Sequence, residues 1–205
     1  MYLNKNSPED DDTSIYHVFE RLNTGGSKLY PQEIRNCVDH GPFVELLNDV
    51  NDNSLWREIF GKKNSRLKDQ ELILRFWAMF YNRENYERPM KEFLNKFSSA
   101  NKHIGAEKAS ELKVVFERAI EVIYNSLGTK PFRPQRNLNA AVFEAVMVGV
   151  AERLRSEAPI DLHEIKTAYD GLMQDGQFQA AYLRSTADEE NVAARINLAV
   201  SAFGA

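Results

Sequence analysis

Apolar residues recur three and four positions apart along most of the chain, and no stretch of β-branched residues alternates with a period of two, so the pattern predicts helices rather than strands. The first is capped by Thr13 or Ser14 and carries Ile15, Val18, Phe19 and Leu22 on one face. Asn23-Thr24-Gly25-Gly26 stops it, and Pro31 opens PQEIRNCV at the position where a missing N–H costs nothing. Gly41-Pro42 restarts the chain as FVELLNDV, and Asn53 or Ser54 begins LWREIF. Lys68 to Arg83 bears the wide apolar face Leu72, Ile73, Phe76, Trp77 and Phe80 expected of a central helix. Pro89 opens the next, and the longest amphipathic stretch, Ala106 to Leu127, ends at Gly128.

Gly128 to Arg136, with two prolines and three cations, reads as an ordered irregular connection. Beyond it, Leu138 or Asn139 leads into a helix reaching about Arg155, Asp161 caps another to about Asp175, and Asp188 caps a last one through Ala202. The expected fold is an all-α array of about nine helices with no substantial sheet. Its divisions are an acidic arm over 1–12, a helical domain over 13–128 and a C-terminal helical subdomain over 129–205.

Composition narrows the function classes. Of the 205 residues, 43% are apolar and 27% charged, enough to build one core. The formal charge of −4 repels nucleic acid in bulk, so any such contact has to come from a local basic patch. The longest apolar runs fall far short of the ~20 residues that cross a bilayer, and the start, MYLNKNSPEDDD, lacks the order of a secretory signal. No membrane partner and a cytoplasmic location are the expectation. Cys37 is the only cysteine, which rules out an internal disulfide and thiolate zinc clusters, and with no histidine partner at a telling spacing it reads as a buried helix residue.

Candidate chemistry is local. Around Asn23-Thr24-Gly25-Gly26, a helix end places Glu20 and Arg21 beside a turn whose free N–H groups suit a phosphate or carboxylate. A plain helix C-cap of the Asn-Gly kind fits the same residues. Gln32, Glu33 and Arg35 follow on the next helix, either as a polar face turned back on the turn or as a solvated surface. Two basic clusters interrupt the acidic background: Arg57, Lys62, Lys63, Arg66 and Lys68, and Lys130, Arg133 and Arg136, the second with Phe132 available for stacking. They suit nucleic-acid phosphates if gathered on one side, and scattered surface cations if not. The four histidines share no metal-ligand spacing, and the acids at Asp10 to Asp12 read as a solvated arm more readily than as a divalent-ion site.

VFERLNTGG at Val18 to Gly26 followed by LYPQEIRN at Leu29 to Asn36 closely resembles the signature of the GmrSD-type "domain of unknown function 262" family. Further matches run in order: GPF at Gly41 to Phe43, WREIFG at Trp56 to Gly61, DQELILRFWAMF at Asp69 to Phe80, PMKEFLN at Pro89 to Asn95, and TADEENVAARI at Thr186 to Ile196.

The resemblance implies a ParB-like α/β domain preceding a helical region, in proteins of modification-dependent restriction and phage defence that are often joined to an HNH-type nuclease. The family's DGQQR motif and any HNH-type motif are absent here. The chain therefore looks like the helical part alone, not catalytic by itself. By the same resemblance Glu20, Arg21, Asn23, Thr24, Gly25 and Gly26, supported by Gln32, Glu33 and Arg35, form half of a phosphate site. Its ligand would be a nucleoside triphosphate with Mg, or DNA. The rest would come from a ParB-like or nuclease partner chain or a homo-oligomer. The alternative is a non-catalytic helical interaction or scaffold module.

Overall fold

A computed structural model of the protein describes residues 13–22, 28–156 and 158–204. Among these the chain forms eleven α-helices and one 3-10 turn, with no strand, as the all-α expectation required. The first half holds α1 (Thr13–Leu22), α2 (Pro31–Val38), α3 (Pro42–Asn51), α4 (Ser54–Phe60), α5 (Lys68–Asn82), α6 (Met90–Asn101) and α7 (Ala106–Leu127). The second holds α8 (Ala140–Arg155), α9 (Leu162–Gln174), α10 (Gly176–Leu183) and α11 (Glu189–Gly204).

The starts follow local chemistry. Asn53, Asn139 and Asp161 each accept a backbone N–H of the first turn, at Trp56, at Ala141 and Val142, and at His163. Asp175, expected to end a helix, also begins one, accepting from Gln177 and Phe178. That cap starts α10, a helix that the sequence reading did not assign. Asp188 precedes α11, but its carboxylate pairs with Arg88 instead of capping.

Helix α8 is the centre. Residues 141–151 are all buried, Val142, Phe143, Val146, Met147, Val148 and Val150 among them, so the helix is covered on every side and apolar around its circumference except at Glu144. Helices α5 and α7 pack against it from the first half of the chain and α11 from the second. One continuous core therefore crosses the division expected near residue 128. At the crossing with α11 the backbones come so close that a Cβ at Gly149 would stand 2.7 Å from Phe203 Cδ2 and 2.9 Å from the backbone of Ala199.

The connection before α8 is fastened inward. Phe132, expected as a stacking surface, is buried with its ring 4.8 Å from that of Phe143, because it fills the core beneath α8. Arg133 donates to the carbonyls of Ile59 and Phe60, occupying the end of α4. The Tyr169 hydroxyl donates to the carbonyl of Pro131 at 2.7 Å. Burial, with the nearby Asp170, pushes the Tyr169 pKa up to about 12. In the unfolded chain this phenol ionises near pH 10, so its contribution is complete below that pH and is lost as pH rises toward 12. Melting temperatures from pH 8 to 12 are expected to fall less steeply in Tyr169→Phe than in the parent; parallel curves would refute the assignment.

Candidate functional site

The start of α2, the loop between α4 and α5, and the connection before α8 meet around a cleft of about 500 Å³. Its wall begins with Tyr30 and Pro31 at the start of α2. Glu33 folds back to accept the Tyr30 N–H at 2.6 Å, which fixes the entry to the helix. In the facing loop the Asn64 carboxamide accepts the Arg66 N–H at 2.9 Å, and Leu67 takes a left-handed conformation (φ 54°) that turns the chain into α5. Arg66 is thereby presented to Tyr30, its guanidinium 5.1 Å from the ring centroid, and the Lys68 ammonium lies 5.9 Å from the same centroid. Arg66 also reaches the Lys28 carbonyl at 3.5 Å and Glu33 at 3.4 Å, tying the chain that enters α2 to this loop.

Arg75 lines the same cleft from α5. Its Nε donates to Glu144 Oε2 at 2.6 Å, and the other carboxylate oxygen of Glu144 receives the Nε of the buried Arg195 at 2.8 Å. Burial opposes the charge on Arg75, but the contact with Glu144 outweighs it and holds its pKa above the usual arginine value. The side chain stays 15% exposed, and its two terminal nitrogens donate to no described residue. Glu71, also in the wall, is held by Arg35 at 3.3 Å. Counting this network together, Arg35, Arg66, Lys68, Arg75 and Arg195 face Glu33, Glu71 and Glu144, which leaves the region cationic within an acidic protein.

The residues expected from the sequence are distributed unevenly. Asn23, Thr24, Gly25 and Gly26 lie outside the described residues, as does the side chain of Glu20 and the acidic arm over 1–12. Arg21 is exposed in the last turn of α1 and already engaged with other groups of the chain. Gln32 and Arg35 do not form a solvated surface. Both are buried, Arg35 to 1% exposure, and Arg35 donates to Asn95 at 3.1 Å and Gln32 at 3.0 Å besides Glu71. Burial pulls its pKa below the arginine norm, opposed by Glu71. The reason is tertiary: α2 packs its polar side against α5 and α6, so the network serves the core. Glu33 acts as helix cap and partner of Arg66.

The basic clusters divide in the same way. Arg57 is turned inward to Asp69 at 2.9 Å and to Asn51, and Arg133 to the carbonyls closing α4, so neither offers its charge to a phosphate backbone. Lys63 pairs with Asp52; Lys62, Lys63, Lys130 and Arg136 are exposed. Only Arg66 and Lys68 turn toward the cleft. Cys37 is exposed rather than buried: two positions beyond Arg35 it has rotated about 200° around α2, away from the core.

Arg75, Tyr30, Asn64 and Asn137 complete the cleft and were not singled out by sequence reasoning. A signal existed for Arg75, a lone cation between Leu74 and Phe76 on the most apolar helix face of the first half. Glu144 and Arg195 are marked in the same manner, since a charge inside an apolar stretch requires a partner. Among the described residues no group of three His, Cys, Asp or Glu is arranged to hold a metal ion, and no helix is long and apolar enough to cross a membrane. Comparison with protein-family models, with curated proteins and with solved structures gave no match.

Proposed function

We propose that the chain is the helical portion of a GmrSD-type restriction or phage-defence protein, contributing a phosphate-binding half-site for nucleotide or nucleic-acid sensing that a partner chain completes. The observation that carries this reading is the position of Arg66. One guanidinium from the basic cluster reaches the Lys28 carbonyl, the cap of α2 and the Tyr30 ring, so the LYPQEIRN segment and the basic cluster, separate in sequence, converge on one cationic cleft. Phosphates suit that cleft, because Arg66 and Lys68 stand at its mouth with partial solvent access. The metal of a nucleotide complex would arrive with the nucleotide, the described residues holding no carboxylate cluster for it. The role is binding rather than turnover, in keeping with the absent DGQQR and HNH-type motifs.

The test is a titration of the chain with Mg-ATP and with labelled single-stranded DNA at low salt. Saturable binding is expected, and the double variant Arg66→Ala/Lys68→Ala should weaken it at least about tenfold and lower the salt slope for single-stranded DNA by about 1.4. No saturable signal with either ligand up to millimolar concentration refutes the proposal. The second reading, an interaction module, draws on α1, which leaves Ile15, Val18 and Phe19 exposed on a short amphipathic helix.

A further inference from the structure

We infer that Arg75 is the anion seat of the cleft and that the ligand it takes is a phosphate monoester, the terminal phosphate of a free nucleotide or of a single-strand end. This rests on the phosphate-binding reading above and names the atom group that does the holding.

Arg75 is unlike the other arginines of the region because its orientation is set from behind. Glu144 takes its Nε, and Glu144 is itself immobilised by Arg195, whose Nη1 is anchored on the Thr186 carbonyl at 2.8 Å. The guanidinium plane is thus fixed before any ligand arrives, with the two terminal N–H groups left to the cleft. Such a fork matches two oxygens of one phosphate in parallel, a geometry that a lysine ammonium cannot reproduce. Arg35, by contrast, has spent its donors on Asn95, Gln32 and Glu71, and that pairing removes most of the repulsion Glu71 would exert on an entering anion.

Recession selects the class. The 15% exposure of Arg75 places it below Arg66, Lys68 and the 44% exposed Tyr30. A terminal phosphate presents three unsubstituted oxygens and reaches inward. An internal diester is flanked on both sides by sugar and stays at the rim. The volume of about 500 Å³ falls in the range of single small-molecule sites, and Tyr30 with the Asn64 and Asn137 amides offers an aromatic face and hydrogen-bonding groups at the mouth for base and sugar.

The experiment compares AMP with adenosine, and a 5′-phosphorylated with a 5′-hydroxyl oligothymidylate, by calorimetry and fluorescence polarisation on the whole chain. The phosphorylated member is expected to bind at least about tenfold more tightly. Affinity confined to AMP assigns a free nucleotide, and affinity extending to the phosphorylated oligonucleotide assigns a strand end; both support the seat. Arg75→Lys, which retains a cation for Glu144 but loses the fork, should remove most of the preference for the phosphorylated ligand. Ala140→Phe narrows the cleft from α8 while leaving the Arg75 and Glu144 side chains unsubstituted and should abolish binding, which keeps the test intact if the lysine variant fails to fold. Equal affinity with and without the terminal phosphate overturns the inference. So does unchanged binding in both variants while Arg66→Ala/Lys68→Ala still abolishes it, a result that leaves the broader reading standing. Absence of all binding overturns both.

Discussion

Arg195→Ala is expected to destabilise the protein by about 3–5 kcal/mol, the loss found when one partner of a buried ion pair is removed. Arg195 and Glu144 are both completely buried, and Arg195 contacts Glu144 through two nitrogens while Nη1 donates to the Thr186 carbonyl. Truncation leaves a carboxylate in the core with Arg75 as its one remaining partner, an orphaned carbonyl and a cavity. Urea unfolding followed by circular dichroism measures the change. The double variant Glu144→Leu/Arg195→Met removes both charges and fills the space, so it should lose markedly less than the sum of the single changes. A loss below about 1 kcal/mol for Arg195→Ala would mean that Arg75 alone satisfies Glu144, and the charge network described here would be wrong.

Gly149→Ala is expected to cost about 1–3 kcal/mol, despite the roughly 1 kcal/mol by which alanine outranks glycine inside a helix. Part of the clash, with the Phe203 ring, can be relieved by a rotamer change, but the contact with the backbone of Ala199 cannot, so α8 and α11 have to separate. Gly149→Val should be worse than Gly149→Ala. Gly171→Ala on α9 is the matched control: nothing lies within 4 Å of its added Cβ, and a gain of about 0.4–1 kcal/mol is expected there. If thermal unfolding shows the two alanine variants moving together, the crossing of α8 and α11 is looser than an approach of 2.9 Å.

Much of the helix array is legible because it depends on local periodicity. The 3.6-residue spacing of Leu72, Ile73, Phe76 and Phe80, the caps at Asn53, Asn139 and Asp161, and the stop at Gly128 each act within one or two turns. Helix α10 escaped because Asp175 serves as the end of one helix and the cap of the next, although Phe178, Ala181 and Tyr182 carry helical spacing. The cleft was less legible. Arg66 and Lys68 were visible as part of a charged cluster, but nothing local distinguishes them from Arg57, which turns inward only because Asp69 and Asn51 await it across α3 and α5. Likewise Gln32 and Arg35 read as surface until α5 and α6 are laid over them. Polar residues declare their role through partners distant in sequence, and apolar spacing does not contain that information.

The placement of α8 has a consequence for biosynthesis. From Ala140 to Ala151 this helix is apolar except for Glu144, and its most extensive cover, α11, emerges from the ribosome only about fifty residues later. At translation rates of about 5–20 residues per second that delay lasts roughly 3–10 seconds. Throughout it the nascent chain displays a greasy segment already pressed on α5 and α7 from one side and bare on the other, a natural client for a chaperone at the exit tunnel.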